Sequence, residues 1–183
     1  MTTHSAELRP HPATPCDAIR RFAVTLAPQS PHELRIRFRV DGDIGRLRLP
    51  LPEPARRRDG LWQHTCFEAF LRPDARDAYY ELNFAPSGDW AAYRFGGRRE
   101  QRTSPELRPP LLSFSRHAVY AELTADISFA ELPELAATAA IHAGISAVVE
   151  TDDGRLSCWA LAHGGERPDF HDPATFALRV MRA

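Results

Sequence analysis

LWQHTCFEAFLRPDARDAYYELNFAPSGDWAAYRF, residues 61–95, holds two of the three tryptophans and three of the four tyrosines of a 183-residue chain. It is broken twice by turn chemistry, at RPDARD (72–77) and at APSGD (85–89), where Pro, Gly, Asp and Ser favour reversal of the chain. The pieces between the breaks predict three strands, over 65–71, 78–84 and 90–95. Side chains alternate across a strand. Thr65, Phe67, Ala69 and Leu71 therefore oppose Cys66, Glu68 and Phe70, while Tyr80, Leu82 and Phe84 oppose Tyr79, Glu81 and Asn83. In the third strand Ala91, Tyr93 and Phe95 oppose Trp90, Ala92 and Arg94. Paired antiparallel, the three give one apolar face and one that gathers Glu68, Glu81, Asn83 and Arg94 among aromatic rings. The grouping depends on register, because a slip of one residue reverses the face of every side chain.

Outward from this core the same periodicity recurs. Residues 33–40 alternate strictly, with Leu34, Ile36, Phe38 and Val40 on one side and Glu33, Arg35, Arg37 and Arg39 on the other, the pattern of a half-buried strand. The turn at Asp41-Gly42-Asp43 suggests that 44–49 returns beside it. Further strands are expected at 22–27, 111–114, 117–127, 141–151, 155–161 and 176–180, with Asp153-Gly154 as a hairpin turn. Ser128-Phe129-Ala130-Glu131 has capping-box spacing, and Pro133 keeps any helix there short. About ten short strands at roughly ten-residue intervals argue for an all-β antiparallel sandwich, jelly-roll-like, with one or two short helices. Residues 1–18 read as a flexible lead and 19–183 as a single domain. If the 33–40 strand lies at a sheet edge it would pair with a second copy, which leaves a homodimer open.

Three segments, WQHTCFEAFL, YYELNFAPSGDWAAYRF and LSCWALAHGGERPDFH, resemble the bacterial DOMON-like domains, relatives of the carbohydrate-binding modules of family nine. The resemblance spans roughly residues 22–180. It implies a β-sandwich that binds a sugar or, in some branches, haem, and it implies no catalysis. In the sugar-binding relatives two tryptophans sandwich the sugar while acidic, amide and arginine groups bond its hydroxyls. Trp62 and Glu68, six apart, match the spacing of one such pair, and Trp159 is a looser match.

Composition narrows the function classes. The net charge is −1 and all 23 basic residues are arginine. Near-neutral charge gives no general reason to bind nucleic acid or an acidic membrane, and the lack of lysine removes Schiff-base and P-loop lysines. No stretch approaches the ~20 apolar residues of a membrane helix. Three scattered cysteines, Cys16, Cys66 and Cys158, make no disulfide framework. With no basic flank followed by an apolar run at the start, a cytoplasmic location is expected.

The polar face suits a saccharide, whose hydroxyls need fixed donors and acceptors and whose C–H face needs a flat ring. The ligand-binding candidates are Trp62, Glu68, Glu81, Asn83, Arg94, Trp159 and His163. Each also has a plain structural role open to it: Glu68 with Arg94 as a cross-strand ion pair, the tryptophans as packing. His163, Asp169 and His171 are weak candidates for a divalent metal, with spacing that matches no strong motif. A haem module is the second reading; its axial ligands would come from His64, His117 or His163, since the only methionines are Met1 and Met181. A small glycosidase using Glu68 and Glu81 is the third, because glycosidases set two carboxyls about 5–9 Å apart. No nucleophile motif accompanies that pair, so a non-catalytic module is favoured.

Overall fold

The structure, a computed structural model, describes residues 2–181. The chain is an all-β antiparallel sandwich. One sheet has five strands, in the order β1 (His4–Glu7), β3 (Ile19–Ser30), β4 (Glu33–Gly42), β9 (Tyr120–Ser128) and β8 (Leu111–Arg116). The other has seven. Its order is β2 (Arg9–Pro10), β11 (Leu156–Ala160), β10 (Ala140–Glu150), β5 (Cys66–Pro73), β6 (Tyr79–Phe84) and β7 (Trp90–Phe95), with β12 (Leu178–Met181) beside the start of β10.

The alternation read in β4 fixes the inner face of the first sheet: Leu34, Ile36, Phe38 and Val40 are buried while Glu33, Arg35 and Arg37 face water. Opposite them, Phe67, Ala69 and Leu71 of β5 and Tyr80, Leu82 and Phe84 of β6 complete the core. The Phe67 ring lies 6.0 Å from Phe22 and 5.2 Å from Phe38, centroid to centroid, so it joins the sheets at the middle of the sandwich. The hairpin between β10 and β11 turns at Gly154, whose φ of +82° a side-chain-bearing residue rarely adopts.

β5 and β6 are buried on both faces. Their second face lies under a separate apolar cluster of Phe70, Tyr79, Ala91, Tyr93, Phe95 and Phe176, with Leu61 and Phe170 packed against it. The cover comes from a 3₁₀ turn at Leu61–Gln63, the segment after β7, and the C-terminal loop, which comes so close to β10 that a Cβ on Gly144 would meet the Thr175 carbonyl at 3.1 Å. The seven-stranded sheet is thus the middle layer, which is why its central strands lack exposed polar residues on alternate positions.

Several expectations are corrected. Residues 4–10 are not a loose lead: β1 pairs with β3, β2 pairs with β11, and Leu8 and His11 are buried. Residues 44–49 do not return beside β4, which already has β3 and β9 on its two edges; Ile44–Arg46 is a 3₁₀ turn, and Leu47 bridges to Thr151. The same two neighbours leave β4 no edge with which to pair a second copy. Among the described residues the one short α-helix, α1, covers Pro133–Ala136 and starts from Leu132 instead of Ser128. Proline is accepted in its first turn, where no N–H is needed. Among the described residues no helix is long and apolar enough to cross a membrane.

Candidate functional site

On the outer face of the seven-stranded sheet the ladders set side chains in rows. Ser146 of β10 pairs with Glu68 of β5, and Glu68 pairs with Asn83 of β6. The next row runs Gly144, Phe70, Glu81 and Tyr93. Above them opens a cleft of about 440 Å³, bounded by Trp62, Tyr93, Arg99, Arg102, Phe170 and His171, with Glu68 and Glu81 at its base. That volume falls in the range that small ligands occupy.

The base of the cleft is polar and incompletely bonded. Glu68 is 2% exposed, yet its Oε1 has no hydrogen-bond partner among the described residues. Asn83 donates from Nδ2 to Glu81 Oε1 at 2.8 Å and leaves its own Oδ1 without a donor; Ser146 Oγ is likewise unpartnered. Buried polar atoms are nearly always satisfied, and three neighbouring exceptions in one row need an occupant, water or ligand. Burial pushes the Glu68 carboxyl well above the usual carboxylate range, and the charge of Glu81 pushes it further. Glu81 is raised by burial too, but the Asn83 bond and the fields of Arg99 and Arg102 oppose the rise.

The walls are held more firmly. Arg99 N–H donates to the Tyr79 hydroxyl at 3.2 Å, and that hydroxyl lies 2.7 Å from His171 Nδ1. His171 is driven down to about 4, by burial first and then by the positive charge of Arg99. The neutral ring accepts from Tyr79 at Nδ1 and turns Nε2 toward Glu81 Oε2, 3.6 Å away. For Asp169 burial alone would raise the pKa; hydrogen bonds from Arg98 and Arg99 outweigh it and hold the group at about 2. Trp62, at the mouth, is 52% exposed, uncommon for so large an apolar ring outside a contact surface.

Three of the seven ligand candidates, Trp62, Glu68 and Glu81, line the cleft, and Asn83 is fully buried beneath it, beside Glu68 and bonded to Glu81. The other three stand apart from it. Arg94 pairs with Tyr80, whose face is the sandwich interior, and it forms a two-pronged ion pair with Glu134 of α1 at 2.6 and 2.9 Å. Antiparallel pairing sets Tyr93, not Arg94, beside Glu81. Trp159 is 4% exposed and packs in the core against Phe22, its indole N–H held by Ser157 Oγ at 3.0 Å. His163 bonds the Arg9 carbonyl at 2.9 Å and meets His11 edge-on. Asp169 and His171 are committed as described, and no group of three metal-ligating side chains occurs among the described residues. The histidines expected as axial haem ligands lie elsewhere. His64 bonds Glu150, His117 stacks on Tyr120, and neither they nor His163 line the cleft.

Sequence reasoning missed Ser146, Tyr93, Arg99 and Arg102. Ser146 was readable, since the alternation of Ile145, Ala147 and Val149 toward the core sends it outward. The two arginines stand in an irregular segment without periodicity. Arg57 lies over the Trp90 ring and bonds two carbonyls, and Arg58 pairs with Asp89, so neither is directed at the cleft.

A larger cleft, about 520 Å³, opens near residues 107–111 at the rim between the sheets. Its arginines are already closed on carboxylates, Arg35 on Asp126 and Arg108 on Glu131. With no unpartnered buried group against it, size alone does not make it the site.

No family model and no curated protein matches this chain. Among solved structures it is similar to the "putative carbohydrate-binding protein" from Bacteroides uniformis, with a TM-score of 0.60 and 15% identity over 94% of this chain and 83% of that one. Identity that low carries the fold, and the fold is a β-sandwich.

Proposed function

We propose that this chain is a non-catalytic binding domain of the DOMON-like kind that holds a saccharide, or a sugar-like polar molecule, in the cleft above Glu68 and Glu81. The observation that carries the reading is the row of unpartnered oxygens on Ser146, Glu68 and Asn83 beneath an exposed tryptophan. A sugar brings hydroxyl donors for such oxygens and an apolar face for the indole. The likeness to the "putative carbohydrate-binding protein" of Bacteroides uniformis supports the same reading.

Isothermal titration against a panel of mono- and disaccharides tests it, with Trp62→Ala as the control. Binding by the native chain that weakens by roughly ten-fold or more in the variant is the expected result. Heatless titrations across the panel would remove saccharides as the ligand class. The paired buried carboxyls Glu68 and Glu81, both raised by burial and Glu68 further by the charge of Glu81, favour one second reading, glycoside hydrolysis, in which the carboxyl that keeps its proton acts as the acid. Release of nitrophenol from aryl glycosides, abolished by Glu68→Gln, would favour it over simple binding.

A further inference from the structure

Glu68 is a buried carboxyl with an unpartnered oxygen. It is buried in the middle of a sheet, and among the described residues no arginine or histidine stands within ion-pair distance of it. Every titratable or charged neighbour fails to supply that charge. Cys66 precedes it on the same face of β5, Cys158 faces it from β11, and Glu81 and Tyr93 face it from β6 and β7. His171 and Asp169 come from the C-terminal loop, and Arg99 and Arg102 from the segment after β7. Arg99 is spent on Asp169, Arg102 lies over the Tyr93 ring, and the fields of both act on Glu81.

We infer that the cleft takes an amino sugar, whose ammonium group seats against Glu68 and donates to its carboxylate. The inference rests on the saccharide reading and narrows it. A neutral hydroxyl can satisfy Asn83 Oδ1 or Ser146 Oγ, but it leaves Glu68 to be buried either protonated or as an unbalanced charge. An ammonium supplies both what the carboxylate lacks, a hydrogen-bond donor and a positive charge, and charge-assisted bonds are the strong ones. Ring hydroxyls then reach Glu81, and the indole of Trp62 covers the C–H face. Because burial makes the free carboxyl hold its proton to higher pH than an ordinary one, seating the ammonium favours release of that proton. Affinity for the amine therefore rises with pH above the ordinary carboxylate value of 4.5, for as long as the amine itself stays charged.

The test is calorimetry with three probes: glucosamine, glucose and cyclohexylamine, against the native chain, Glu68→Gln and Glu81→Gln. The inference expects glucosamine to bind roughly ten-fold or more tightly than glucose at about pH 7. That preference should shrink toward about pH 5 and vanish in Glu68→Gln, with proton release seen as a dependence of the heat on the buffer's ionisation enthalpy. Glucose and glucosamine bound equally would overturn the inference and leave the saccharide reading standing. Cyclohexylamine bound as tightly as glucosamine would keep the cation site and remove the sugar. If no probe binds, the inference falls, and the saccharide reading is decided by the full panel. Should Glu68→Gln not fold, an unchanged amine preference between about pH 5 and about pH 7 in the native chain would by itself overturn the inference.

Discussion

Glu68 stands directly across the β5–β6 ladder from Asn83, and each keeps one side-chain oxygen without a partner. A strand pair in the middle of a core would ordinarily bear two apolar residues at such positions, so the pair costs stability in the free protein. The cost has a pH signature. With its folded pKa raised above the ordinary carboxylate value of 4.5, Glu68 keeps a proton that the unfolded chain gives up. The native state then binds more protons, and stability falls as pH rises above about 4.5, by at most about 1.4 kcal/mol per pH unit. Glu68→Gln removes this dependence. Urea unfolding between about pH 4 and 8 should show the variant matching the native chain at the acid end and exceeding it at the alkaline end. Parallel curves would show that Glu68 is not buried as described.

Arg94 makes the opposite kind of contact. Its fork on Glu134, to which the Tyr80 hydroxyl also donates at 2.7 Å, ties α1 to the edge of β6 and β7 on the interior side. Arg94→Ala should lower stability by about 1–2 kcal/mol, a modest figure because both charges are partly wetted. Ligand affinity should not change. A loss of binding with unaltered stability would return Arg94 to the cleft and refute the register of β7.

Most of the sandwich was legible because its strands are amphipathic in the simplest way. The phase of β4, β5, β6, β9 and β10 follows from period-two alternation, and with it the gathering of Glu68, Glu81 and Asn83. The face of Arg94 was misread for a specific reason: alternation fixes which residues share a side within β7, but pairing to β6 decides which side that is. Trp159 shows the other limit. A tryptophan in a strand carries the same letter whether it packs on Phe22 or on a sugar, and its burial is set by β3 from a distant part of the chain. The N-terminal strands were missed because four- and two-residue edge strands are too short to show a period.

His171 offers a direct check of the wall opposite Glu68. Its imidazole is held neutral by burial and by Arg99, and its Nδ1 accepts the Tyr79 proton. An NMR titration of the ring should show a midpoint near about 4 in place of the ordinary 6.5. The folded pKa being depressed, the unfolded chain takes up a proton first as pH falls; the His171 contribution to stability is lost from about 6.5 down to about 4 and is constant above that window. His171→Phe should flatten the loss over that interval. A midpoint close to 6.5 would mean that the C-terminal loop does not cover the ring.

The two tryptophans once grouped as a sugar clamp should separate cleanly on mutation. Trp159 fills the core beside Phe22, so Trp159→Ala opens a cavity and should cost about 3–5 kcal/mol. Trp62 projects from a 3₁₀ turn at the cleft mouth, half in water. Trp62→Ala should change stability by less than about 0.5 kcal/mol, since little packing is lost. Fluorescence makes the same distinction without unfolding. Trp62 should account for the red-shifted emission that acrylamide quenches, and a bound sugar should shield it and shift that emission to the blue. Quenching that stays the same in Trp62→Ala, or that no saccharide protects against, would separate this indole from the ligand and leave the unpartnered row beneath it to water.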